Sequence, residues 1–164
     1  MKEILEMREK YIKIMEEKNI TARLMFGKKG ELTLENHNCG VANGWGGFTE
    51  DQAVYILYKP ISTQPESLVL KDVPINAFWS ITVYDKDGFP RGEKFHIMSS
   101  FHMQNGTIYF GDYANKTELN YLENFPDWRF ILRLYQPRND YFNGNWTKPE
   151  LVYNNGVARP KLLK

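Results

Sequence analysis

The sequence predicts a mainly β domain, an antiparallel β-sandwich of jelly-roll-like type carrying one N-terminal α-helix. Three observations predict it. From Thr21 onward, short apolar segments alternate with turn residues and no helical spacing links them. Ten Phe, ten Tyr and four Trp supply the ring-bearing side chains that suit a pleated, half-buried surface. Only the first twenty residues place apolar positions at helical intervals.

The helix is expected over residues 3–18. Ile4, Leu5, Tyr11, Ile12 and Met15 form its apolar stripe, and Glu and Lys fill the rest, with Glu6–Lys10 and Glu9–Lys13 as supporting i,i+4 pairs. It is expected to pack over one end of the β core, the alternative being a second copy of itself. Residues 21–164 then read as a single β-rich domain without repeat or linker. Ala53 to Tyr58 (AVYILY) is nearly all apolar and predicts a strand buried on both faces. Strands follow at Ser67 to Lys71, at Ala77 to Asp85 and at Lys94 to Met98. The second of these is closed by the turn Asp85-Lys86-Asp87-Gly88. A Gln104-Asn105-Gly106 hairpin signal leads into Thr107 to Gly111. The last strand, Trp128 to Gln136, is halted by Pro137, and the Asn- and Lys-rich tail from Gly144 should run over the surface.

Length and charge bound the function. A chain of 164 residues can bury roughly two-thirds of its unfolded surface in one core. Lys plus Arg number 21 against 20 for Asp plus Glu, a net charge of +1, so no basic excess points to nucleic acid. The single Cys39 excludes an intrachain disulfide and fits a reducing, cytoplasmic location. No stretch is apolar enough to span a membrane, and the charged N-terminus is unlike a signal peptide. The Asn-x-Thr triplets at Asn19, Asn105, Asn115 and Asn145 are then chance rather than glycosylation sites.

The run Val73-Pro74-Ile75-Asn76-Ala77-Phe78-Trp79-Ser80-Ile81-Thr82-Val83-Tyr84, followed by Asp87-Gly88-Phe89, resembles the family known as domain of unknown function 1214. Arg133-Leu134-Tyr135-Gln136-Pro137-Arg138, with Gly144-Asn145-Trp146 and Pro149, is similar to the family's second signature. Gly44-Trp45-Gly46-Gly47 with Asp51-Gln52-Ala53-Val54-Tyr55 fits its short branch, so the resemblance extends over about residues 40–152. It implies a β-rich, jelly-roll-like domain and supplies no established catalytic residues to carry over. Members often follow a companion, domain of unknown function 1254, which the residues ahead of Gly40 are too few to hold.

Strand alternation supplies the candidate site. In AFWSITVYD, Trp79, Ile81 and Val83 share one face while Phe78, Ser80, Thr82 and Tyr84 share the other. In WRFILRLYQ, Phe130, Leu132 and Leu134 oppose Arg129, Ile131, Arg133 and Tyr135. If the second faces meet, Tyr84, Arg133 and Tyr135 line a polar-aromatic surface suited to a small carboxylate or phosphate, with His96 as a further lining residue. The bland alternative is an ordinary solvated sheet face with cross-strand pairs.

The other constellations carry less. His37, His96 and His102 lack the dense spacing of a metal site, so no metal and no cofactor are expected. Asn43-Gly44-Trp45-Gly46-Gly47 lacks the Gly-Lys-Ser/Thr ending of a phosphate loop, and its glycines should serve a turn that folds Trp45 over the core. Cys39 and His37, two apart, would share a face on a strand, but no orienting acid accompanies them. Asp85 and Asp87 flank a turn, where Asp is expected for backbone reasons. Two functional readings follow. One is a domain binding a small, anionic molecule on the polar-aromatic face, with catalysis undecided. The other is a non-catalytic structural or protein-interaction module, self-associating as a homo-oligomer through its helix.

Overall fold

Helix α1 spans Lys2–Glu17 in the computed structural model, which describes residues 2–44, 46–60, 63, 66–99, 106–111 and 120–153. It does not lie over the β core. Tyr11, Ile14 and Met15 pack instead against Ile20, Met25, Phe26 and the wholly buried Cys39, a small core separate from that of the sheets. Met25 and Cys39 come from two helices absent from the expected pattern, α2 (Ala22–Met25) and α3 (Leu34–Asn43), while Ile20 and Phe26 lie on either side of α2. Arg8 Nε donates to the Ala42 carbonyl at 3.0 Å, and Lys18 pairs with Glu35 at 2.6 Å, fixing the α1–α3 register. About 24 Å of α1 lies along about 15 Å of α3. The apolar stripe therefore overruns its partner, leaving Ile4 72% and Met7 52% exposed.

Helix α3 reads LENHNCGVAN, with too few apolar side chains to form a periodic stripe. Its start is set by Thr33, whose Oγ1 accepts from the Asn36 amide at 3.1 Å and satisfies one of the four unpaired N–H groups of the first turn. Thr33→Ala should lower stability by about 1 kcal/mol, seen as a lower urea midpoint with an unchanged slope. Placing Cys39 and His37 on a helix also separates them. Residues two apart point to nearly opposite sides, so Cys39 is buried while His37 is exposed. The Cys39 thiol donates to the Tyr11 carbonyl at 3.5 Å, and burial raises its pKa.

Apart from a short helix at Asn139–Phe142, the remaining described elements form two four-stranded sheets. One has the order β1-β7-β3-β4, from Ala53–Tyr58, Arg129–Tyr135, Trp79–Tyr84 and His96–Met98, and is antiparallel throughout. The other has the order β6-β5-β2-β8, from Tyr121–Leu122, Gly106–Phe110, Glu66–Leu70 and Leu151–Tyr153. The two-residue β6 pairs with β5 in parallel. Trp79, Ile81 and Val83, with Phe130, Leu132 and Leu134, project from the first sheet into the same core as Leu68, Leu70, Ile108, Phe110 and Leu122 of the second. That is a mainly β sandwich, and the alternation expected in both signature strands holds.

One detail differs from expectation. β1 is an edge strand covered on one face only: Val54, Ile56 and Tyr58 are buried, while Leu57 is 42% exposed on the other side. In the glycine segment, Gly46 has the expected positive φ, at 126°, and a Cβ on Gly47 would in addition meet the Phe26 ring at 2.6 Å. Trp45, the 100–105 stretch with the expected hairpin turn and His102, and the triplet at Asn115 lie outside the described residues. The Asp85 turn forms as expected: its Oδ1 accepts from the Phe89 and Asp87 amides at 3.0 Å each, and these bonds, Phe89's first, hold the carboxyl below its usual range.

Candidate functional site

The outer face of the β1-β7-β3-β4 sheet is where the signature residues meet. β7 lies between β1 and β3, and register places Arg133 opposite Tyr55 on one side and Ser80 on the other. On the adjoining strand pair, Thr82 is opposite His96. Because side chains alternate, Ser80, Thr82, Tyr84, Arg133, Tyr135 and His96 all point away from the sandwich core.

Arg133 organises the face. Its Nη1 donates to Thr82 Oγ1 at 3.0 Å and its Nη2 donates to the Tyr84 hydroxyl. The guanidinium carbon also lies 5.8 Å from the centre of the Tyr84 ring, within cation–π range. Thr82 Oγ1 is 2.9 Å from His96 Nδ1, so one hydroxyl joins the arginine to the histidine across three strands. Tyr84 and Arg133 are half-buried, Thr82 is 7% exposed, and His96 is exposed. Among the described residues no carboxylate lies within ion-pair distance of Arg133. A guanidinium has five N–H donors, and the two hydroxyls take only two of them.

Of the residues expected at the site, Tyr84, Arg133 and His96 are therefore joined. Tyr135 is on the same face but stacks on Phe78, with ring centres 4.4 Å apart, and forms a wall beside the cluster. Thr82 is the connecting residue that the expected set lacked. Its position in the alternation was the available signal. Tyr55 adds a second aromatic flank, its hydroxyl accepting from the Phe48 amide at 2.8 Å and its ring 5.8 Å from Phe26. Among the described residues no three His, Cys, Asp or Glu side chains gather as a metal site. No described helix is long and apolar enough to cross a membrane.

A half-buried arginine held by two hydroxyls on an aromatic sheet face defines a two-sheet domain with a polar signature surface. A family model described as "Protein of unknown function (DUF1214)" matches residues 67–139, and over that segment the chain is similar to this family. The match takes in β3 to β7 and all of β2 but its first residue, and with them Tyr84, Arg133, Tyr135 and His96. No curated protein matches the chain. The crystal structure of the VPA0106 protein from Vibrio parahaemolyticus shares the fold at a TM-score of 0.63 and 17% identity. That likeness covers 88% of this chain but 42% of the other, so the chain spans less than half of the solved protein's length. An uncharacterized protein from Burkholderia cenocepacia is more distant, at a TM-score of 0.42 and 8% identity over 62% of this chain and 29% of that one.

Proposed function

We propose that this domain binds a small anionic molecule on the outer face of the β1-β7-β3-β4 sheet, with Arg133 as the anchoring cation. The observation that carries the reading is the state of that arginine: oriented by Thr82 and Tyr84, half-buried, and without a carboxylate partner among the described residues. The two cross-strand bonds hold the guanidinium at both terminal nitrogens. Fixing it lowers the ordering cost of binding, and its remaining donors form the fork that a carboxylate or phosphate meets with two parallel bonds. Tyr84, Tyr135 and Tyr55 flank it with rings, which supports a ligand whose charge is attached to a flat or apolar body. His96, reached through Thr82, adds a polar edge.

The test is thermal melting against a panel of carboxylates and phosphates, benzoate and inorganic phosphate among them. An anion that binds raises the melting temperature of the native protein by mass action. Arg133→Ala should weaken that ligand roughly 10- to 100-fold, the range expected for hydrogen bonds to a charged group. Its ligand-free melting point should fall by only a few degrees. Arg133→Lys should retain part of the affinity, keeping the charge but not the fork. A shift that survives Arg133→Ala, or a panel in which no anion shifts melting, rejects the proposal.

A further inference from the structure

Strand β1 leaves one edge of the β1-β7-β3-β4 sheet open, because β7 pairs with it on one side only. The Gln136 amide donates to the Gln52 carbonyl at 2.9 Å, which sets the phase of that pairing. Val54, Ile56 and Tyr58 therefore turn their backbone groups to β7, while Ala53, Tyr55 and Leu57 turn theirs outward. Of the outward groups, the Ala53 amide is taken by the Thr49 carbonyl at 2.9 Å. The amides and carbonyls of Tyr55 and Leu57, and the Ala53 carbonyl, have no backbone partner among the described residues.

Sheets usually protect such an edge with a charge, a proline or a very short strand. The other outer strands, β4, β6 and β8, are two or three residues long. β1 runs for six, AVYILY, with neither a charge nor a proline within it. Its charges stand at the two ends instead. Asp51 precedes the strand and Lys59 follows it, both exposed and neither in an ion pair among the described residues. When two β1 strands pair antiparallel through this edge, the outward-turned residues lie opposite one another. Centring the pair on Tyr55 sets Ala53 opposite Leu57 and Asp51 opposite Lys59, at both ends. A slip of two residues in either direction loses both charge pairs.

We propose that the β1 edge is a self-association surface, on which β1 of a second copy pairs antiparallel about a two-fold axis at Tyr55. The two four-stranded sheets then become one continuous sheet. Each Tyr55 amide donates to the Tyr55 carbonyl of the other copy, and each Leu57 amide to its Ala53 carbonyl. The opposite charges at the strand's ends, brought together by antiparallel self-pairing, select a second copy over an unrelated strand.

Sedimentation velocity over a concentration series tests this. The native protein should pass from monomer to dimer as concentration rises, and the Tyr55 and Leu57 amides should exchange with deuterium more slowly as it does. Leu57→Pro removes an outward donor that the protein's own sheet does not use, and should abolish the dimer. Asp51→Lys and Lys59→Asp each set like charges opposite one another and should weaken it about tenfold. Combining the two restores opposite charges and should return most of the affinity. These charge variants alter exposed side chains outside the strand, so they carry the test if the proline variant fails to fold. Leu5→Glu, on the exposed start of α1, should leave the dimer intact. A protein monomeric at its highest soluble concentration, single charge variants that dimerise like the native protein, a double variant no better than the singles, or a dimer lost in Leu5→Glu would overturn the assignment.

Discussion

Phe130→Ala is expected to destabilise the protein by about 3–5 kcal/mol, the cost of truncating a fully buried aromatic ring. Phe130 has no exposed surface and stands between the two sheets. It stacks on Tyr58 of β1 at 4.4 Å, on Phe110 of the opposite sheet at 4.7 Å and on Trp128 at 5.6 Å. Removing it leaves a cavity whose other walls are themselves rings, which cannot collapse far into the space because they are rigid and packed on one another. At about 2–4 °C per kcal/mol for a domain of this size, melting should fall by roughly 6–20 °C. Leu57→Ala on the uncovered side of β1 should change it by less than about 2 °C, since that side chain is already 42% exposed. A small effect at Phe130 would mean that the sheets do not share one core.

The second large effect is at Glu66, whose side chain is wholly buried at the start of β2 opposite Phe110. Burial disfavours the charged form and pushes its pKa up to about 7, from 4.5 for an unperturbed group. A carboxyl with a raised folded-state pKa favours folding at acid pH, where it is neutral in both states. That contribution is lost as the pH climbs from about 4.5 through about 7. Glu66→Gln keeps the shape and removes the titration. The two proteins should therefore unfold at similar urea concentrations at pH 4. At pH 8 the Gln variant should be the more stable by on the order of 3 kcal/mol, since a tenfold change in an acid dissociation constant corresponds to about 1.4 kcal/mol. Urea midpoints across that pH range measure the difference, and parallel curves for the two proteins would refute it.

Much of the sheet architecture was legible because period-two alternation is a local property. In β3 and β7 every second residue is apolar, and those residues are the ones with no exposed surface. Helix α3 was not legible for the opposite reason. Its sequence has little periodicity, and what holds it is a cap at Thr33 together with packing on α1 and Met25, which only the folded chain supplies. β6 is two residues long and exists through its partner β5. The candidate face lies between these cases. Alternation placed Tyr84, Arg133 and Tyr135 on outward faces, whereas the register that brings Arg133 to Thr82, and Thr82 to His96, joins residues far apart in the chain. Tyr135 was on the correct face, but its neighbour Phe78 claimed its ring.

Anion binding at Arg133 is tested most directly by an amide and arginine side-chain NMR titration with benzoate and with inorganic phosphate. Saturable shifts are expected, centred on the Arg133 guanidinium and on the amides of Thr82, Tyr84, His96 and Arg133, and absent from the Arg133→Ala protein. Shifts that do not saturate, that scatter over surface lysines, or that persist unchanged in Arg133→Ala would contradict it.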